Sequence, residues 1–255
     1  MTAYWMVLDS WTLTRRTLLH WRNQPAGLLL GLLFPVMVLL MFAYLFGGSM
    51  SVPGGGDYRE FLLPGMFTLT MAFGLETTFT AVSADASRGV TDRLRTMPIS
   101  AASVVAGRSL ADMLNAAVGL LVLVACGLAV GWRWHDGIGN ALLAVGLLLL
   151  LRYALLWVGI WLALAASRPE TLLAVQILVW PLGFLSSVFA APESMPGWLG
   201  AVAAWNPLSA TASATRALFG NADPAEHATL PAVTWPVVLI AIFAPLAIRK
   251  YRRLT

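Results

Sequence analysis

The chain has 255 residues, 59% of them hydrophobic and 11% charged, with a mean hydropathy of +0.77 and a formal net charge of +4. Soluble domains carry about a quarter charged residues, so this composition excludes a water-soluble globular protein. It also excludes a nucleic-acid-binding role, because the basic residues sit at the ends of apolar runs, where anionic lipid head groups are their natural partners.

The first stretch, 1–25, reads as a cytoplasmic interfacial helix. Tyr4, Val7, Leu8, Trp11 and Leu18 share one helical face, opposite Asp9, Arg16 and His20. Trp5, Trp11 and Trp21 suit the head-group layer, and Pro25 separates this stretch from the first apolar run. No short apolar core with a cleavage site precedes that run, so an uncleaved chain is expected.

A helix needs about 20 mostly apolar residues to cross the hydrocarbon core. Runs at 26–47, 61–84, 101–130, 138–166, 171–191 and 232–248 meet this length or come close to it, which predicts six crossings. The third and fourth exceed one bilayer thickness, and the sixth is short, with Pro236 and Pro245 near its ends. Gly27 and Gly31 have the spacing that lets membrane helices approach closely. Between the first two runs, Pro53 to Gly56 marks a turn. Between the fifth and sixth runs, 192–231 is still largely apolar at 195–204 and 207–219, which predicts two short re-entrant helices on the outer side. Residues 1–255 therefore form one all-α transmembrane domain.

Lys and Arg in short loops favour the cytoplasm. With both termini inside, only Arg59, Arg133 and Arg216 of the 16 basic residues fall outside, and Arg152 lies within the fourth span. The Arg-rich, Lys-poor usage fits a GC-rich bacterium, which makes the bacterial plasma membrane the expected location.

Catalytic chemistry finds little footing. A phosphate-binding P-loop ends in Gly-Lys-Ser or Gly-Lys-Thr, whereas the lone lysine here is Lys250 in the tail. His20, His135 and His227 are far apart, so no metal or haem site is expected. There is no Gly-x-Ser-x-Gly elbow, and Cys126 lies in an apolar run as a small hydrophobe. No catalytic residue and no cofactor is expected in this chain.

The informative segment is the connection between the second and third runs, 85–103. It places Arg88-Gly89, three residues, Arg93-Leu94, three residues, Pro98 and then Ser100. This order resembles the ABC type-2 permease family. Gly107, Arg108, Leu110, Ala111 and Asp112 extend the likeness toward that family's daunorubicin-resistance branch, as do Pro196, Trp198, Asn206, Pro207 and Arg216. A departure is Ser87, where many relatives carry Glu before the Arg-Gly pair.

The resemblance implies a permease that exports an amphipathic, drug-, polyketide- or lipid-like molecule. It implies two separate ATPase subunits that bind ATP and Mg, and a second copy of this permease or a homologous one. Physically, a charged, proline-stopped segment at the membrane surface suits docking into a soluble ATPase. Arg88, Asp92, Arg93 and Arg95 would make charged contacts, Leu94 an apolar anchor, and Gly89 a tight backbone approach. A basic loop that merely touches lipid needs no such fixed order of residue types. Phe34, Met41, Phe67, Met71, Phe73 and Trp180 are candidates for lining an adaptable apolar path.

Glu76, Asp112 and Arg152 are charges within the membrane, each costing about 2.5 to 3.5 kcal/mol unless partnered or hydrated. Glu76 and Arg152 lie at depths that permit a salt bridge, and Asp112 has Arg108 or Arg152 in reach. These charges either fix helix packing or line a pathway. A proton-coupled secondary transporter using Glu76 and Asp112 is the alternative function.

Overall fold

The computed structural model describes residues 11, 12, 14, 15, 25–45, 57–87, 89, 101–166, 170–221 and 229–253. Every regular element among them is helical. In chain order these are α1 (Pro25–Leu45), α2 (Tyr58–Ser87), α3 (Ala101–Val130), α4 (Gly137–Ala165), α5 (Glu170–Phe184), a 3-10 turn (Pro192–Ser194), α6 (Gly197–Trp205), α7 (Pro207–Phe219) and α8 (Thr229–Arg253). Residues 103–130, 137–165 and 229–251 are long and apolar enough to cross a membrane, and 31–45 is a shorter apolar helix.

The long helices alternate in direction between two ends of the bundle. At one end, Arg59 at the start of α2 donates to Ala43 O of α1 and Val130 O of α3, which answers carbonyls that have no partner at a helix terminus. At the other end, the last turn of α2 meets the first turns of α3 through Asp85 and Arg108.

Two clusters occupy these two ends. Around Phe67, Trp132 and Phe219, all nearly inaccessible, rings meet edge to face at centroid separations of 5.0 to 6.4 Å. At the other end, Phe79, Leu156, Ile160 and Tyr251 bring α2, α4 and α8 together. Lipid tails are as apolar as these side chains, so helix association rests on close packing rather than on a drive away from water. Small residues allow that packing. A Cβ on Gly127 would lie 2.5 Å from Leu63, and one on Gly159 would lie 2.9 Å from Leu75 O. Gly31, in contrast, has nothing within 4 Å of an added Cβ among the described residues, so it mediates no close approach between them.

Several boundaries differ from the sequence expectation. α8 extends through 229–253 rather than 232–248, with Pro236 and Pro245 both inside the helix. α5 stops at Phe184 rather than running to 191. Pro181 within it lacks an N–H, and the chain then turns at 185–190 with Ser186, Ser187 and Val188 fully buried. A 15-residue helix is about 22 Å long, short of a roughly 30 Å hydrocarbon core.

The two short helices predicted after α5 are present as α6 and α7. Asn206 starts α7 by accepting from Leu208 N at 2.9 Å, and Gly220 ends it in the left-handed conformation at φ 72°. α7 is rich in Ala, Ser and Thr, and nearly all of it is buried. Thr211 and Thr215 return their hydroxyls to carbonyls of their own helix, which leaves those two positions thin and effectively apolar.

Candidate functional site

Three features are candidates for function: the connection after α2, a buried ion pair at mid-bundle, and an aromatic pocket between α1, α2 and α5.

Of the connection, Gly89 is described, whereas Arg88, Asp92, Arg93, Leu94, Arg95 and Pro98 lie outside the described residues. Gly89 has φ 67° and donates its N–H to Ala86 O at 3.1 Å, closing the end of α2. Among the described residues nothing lies within 4 Å of an added Cβ, and the left-handed backbone conformation by itself favours glycine here. Arg108 and Asp85 form an ion pair across the two ends of the connection. This pair fixes where the segment leaves and rejoins the bundle. Thr14, buried, donates its hydroxyl to Gly107 O at 2.9 Å, which seats this residue on the first turns of α3 beside that pair.

Higher in the bundle, Arg152 of α4 is 3% exposed. Its Nη2 donates to Asp112 Oδ2 of α3 at 2.7 Å and to Thr78 Oγ1 of α2 at 2.9 Å. The Thr78 hydroxyl in turn donates to the same Asp112 oxygen. One guanidinium, one hydroxyl and one carboxylate thus join three helices. The guanidinium lies across Gly74, where a Cβ would come 2.4 Å from Arg152 Nε. Gly74 and Thr78 are one turn apart and share a face, whereas Glu76, half-buried, lies roughly half a turn around the helix from both. Depth allowed Glu76 to reach Arg152, but the azimuth assigns Asp112 instead. Arg108, the other partner open to Asp112, pairs with Asp85.

A small, partly open pocket lies between α1, α2 and α5. Its wall is a run of rings. Phe73 lies 4.7 Å from Trp180, Trp180 stacks on Phe184 at 5.9 Å and 18°, and Phe184 stacks on Phe189 at 5.3 Å and 16°. Phe34 meets Trp180 edge-on at 5.9 Å, and Phe42 reaches Phe189 at 4.9 Å. Thr70 at the wall turns its hydroxyl to Met66 O, so the lining presents no free polar group there. Of the residues expected to line an apolar path, Phe34, Phe73 and Trp180 line this pocket. Phe67 and Met71 are instead core residues, and Met41 is half exposed on α1. Phe42, Phe184 and Phe189 went unnoticed in the sequence, although Trp180 and Phe184 are spaced one helical turn apart.

Among the described residues no group of three or more His, Cys, Asp or Glu side chains is placed to hold a metal.

The ABC-2 type transporter family pattern matches residues 9–219. The chain is 35% identical over 239 residues to the daunorubicin resistance ABC transporter permease protein DrrB1 of Streptomyces coeruleorubidus, covering 93% of this chain and 83% of that protein. It is 24% identical over 243 residues to the probable doxorubicin resistance ABC transporter permease protein DrrC of Mycobacterium tuberculosis, covering 94% and 87% of the two chains. A putative transport permease, ycf38, of Cyanophora paradoxa is 23% identical over 227 residues, covering 88% and 78%. With the family pattern running from the N-terminal stretch to the end of α7, and the helical bundle it belongs with in place, the chain is a member of the ABC-2 type transporter family of membrane permeases.

Proposed function

We propose that the chain is the membrane-spanning subunit of an ATP-driven exporter that moves a hydrophobic, drug-like molecule out of a bacterial cell. The observation that carries this reading is the 35% identity to a daunorubicin resistance permease over 93% of the chain. The aromatic, nearly apolar pocket between α1, α2 and α5 agrees with a substrate of that kind.

In this reading α1 to α5 and α8 make six crossings, with both termini and the Asp85–Arg108 end in the cytoplasm and the Arg59 end outside. α6 and α7 form the re-entrant segment of 192–231. Two permease copies, or this chain and a homologue, sit in lipid above two ATPase subunits that bind ATP and Mg. Arg88, Gly89, Asp92, Arg93, Leu94, Arg95 and Pro98 dock into those subunits. The glycine cap of α2 and the Asp85–Arg108 pair give the docking segment stiff attachments, so a push on it moves α2 and α3.

A proton-coupled carrier would need Asp112 or Glu76 to load and release protons during transport. Asp112 is already engaged by Arg152 and Thr78, which favours a fixed structural charge over a cycling one. Co-expression with a candidate ATPase subunit tests the docking. Arg93→Ala and Leu94→Ala should each lower the ATPase recovered with affinity-purified permease, while permease yield stays unchanged. Undiminished recovery from both variants would remove the segment from the interface.

A further inference from the structure

Just after α5 the chain turns inside protein, with Ser186, Ser187 and Val188 buried, so the polar backbone groups at this helix end need partners. They find them chiefly on the next helical unit. Asn206 Nδ2 donates to Leu182 O at 2.8 Å and Leu185 O at 3.1 Å, and Ser209 Oγ accepts from Ser187 N at 2.9 Å. Arg216 Nη2, 3% exposed as a residue, donates to Ser187 O at 2.8 Å and Val188 O at 2.9 Å. The same guanidinium turns its Nε to Phe61 O in the first turn of α2 at 2.7 Å and lies 3.7 Å above the Phe61 ring. Gly65, one turn on, leaves the room: a Cβ there would be 2.6 Å from Val188 O and 2.8 Å from Arg216 Nη2.

Arg216 thus faces two ways. One side holds α2, whose far end carries the segment proposed to take the ATPase's push. The other holds the buried turn after α5, which continues into Phe189 on the wall of the aromatic pocket. α2 has 30 residues and is about 45 Å long, so a tilt imposed at its Asp85 end displaces its Arg59 end as well.

We propose that Arg216 is a positioning residue for transport, which couples displacement of α2 to the turn at 185–190 and so to opening of the aromatic pocket toward the outer side. The proposal rests on the ATP-driven export reading above. It requires the forked geometry and not the charge alone. Lysine keeps the charge but presents one ammonium, which has no planar fork to bridge Phe61 O and Val188 O together.

The test uses the full permease with its ATPase in sealed proteoliposomes and daunorubicin as the probe. Arg216→Lys should lower maximal transport by about ten-fold, the kinetic equivalent of one charge-assisted hydrogen bond, while the half-saturating daunorubicin concentration and the ATP turnover stay near wild type. Gly65→Ala, which keeps the arginine but forces Val188 O and the Arg216 guanidinium away from α2, should uncouple transport from ATP turnover in the same direction. It keeps the test open if Arg216→Lys does not fold. Normal transport in a folded Arg216→Lys or Gly65→Ala protein overturns the proposal. So does a parallel fall in transport, ATP turnover and melting temperature, which marks a purely structural bond. If wild-type protein shows no ATP-dependent transport, the export reading fails first and takes this proposal with it.

Discussion

Replacing Arg152 with Met removes the cation and keeps most of the aliphatic volume, leaving the Asp112 carboxylate beside Thr78 without its ion-pair partner. Breaking a buried pair from one side costs about 3 to 5 kcal/mol, because the surviving charge stays poorly solvated. The Asp112 side chain is 19% exposed and keeps the Thr78 hydroxyl, which puts the expected loss near the lower end, about 3 kcal/mol. Asp112→Leu alone should cost a similar amount, because it strands the guanidinium that is 3% exposed. The double variant removes both charges, and should lie within about 1 to 2 kcal/mol of wild type, giving a coupling energy of several kcal/mol. Unfolding in mixed micelles of rising denaturing-detergent fraction, followed by tryptophan fluorescence, measures the four corners of this cycle. Glu76→Leu is the control and should not rescue Arg152→Met. Additive losses in the double variant, or rescue by Glu76→Leu, would refute the assignment of Asp112 as the partner.

Two further perturbations probe the turns. Gly89→Ala should destabilise the end of α2 by about 1 to 2 kcal/mol, because φ 67° is left-handed, and Gly89→Asn should cost less; thermal melting of the purified permease compares them. Asn206→Ala removes the cap of α7 and both donors to the end of α5, for a summed loss of about 2 to 4 kcal/mol. Asn206→Asp keeps the cap and loses the donors, so its melting temperature should fall between wild type and Ala, and equality with wild type would dismiss the Leu182 and Leu185 bonds.

What the sequence made legible follows from which forces act locally. Runs 101–130 and 138–166 are uninterrupted by proline or charge clusters, and they match α3 and α4 to within one residue at each end. Asn206-Pro207 signals a helix start on local grounds alone, and α7 begins there. The end of α5 is different. Residues 185–191 are as apolar as the helix before them, and the chain turns where it does because Asn206, Ser209 and Arg216 supply bonding partners from more than 20 residues away in sequence. Composition carries no trace of that exchange.

The ion pair was half legible. Rise per residue placed Glu76 and Arg152 at matching depth and Asp112 somewhat nearer the cytoplasm, yet depth leaves direction open. The deciding signal was the Gly74, Thr78 spacing, a small residue and a hydroxyl one turn apart, which gives an arginine from a neighbouring helix both room and an acceptor. The Asp85–Arg108 pair was hidden for a similar reason. Pairing Arg108 with a carboxylate on its own helix overlooked that the ends of consecutive antiparallel spans lie side by side. The ordered residues from Arg88 to Pro98 stood out as a family motif rather than through any local folding preference.

As proposed, the permease has no engine of its own and is driven by a separate ATPase. The decisive measurement is daunorubicin uptake into inside-out proteoliposomes, with and without the partner ATPase and with and without ATP and Mg. Accumulation is expected only when permease, ATPase, ATP and Mg are all present, with no loss when the proton gradient is collapsed. Accumulation by the permease alone, or its disappearance with the proton gradient while ATP persists, would contradict it.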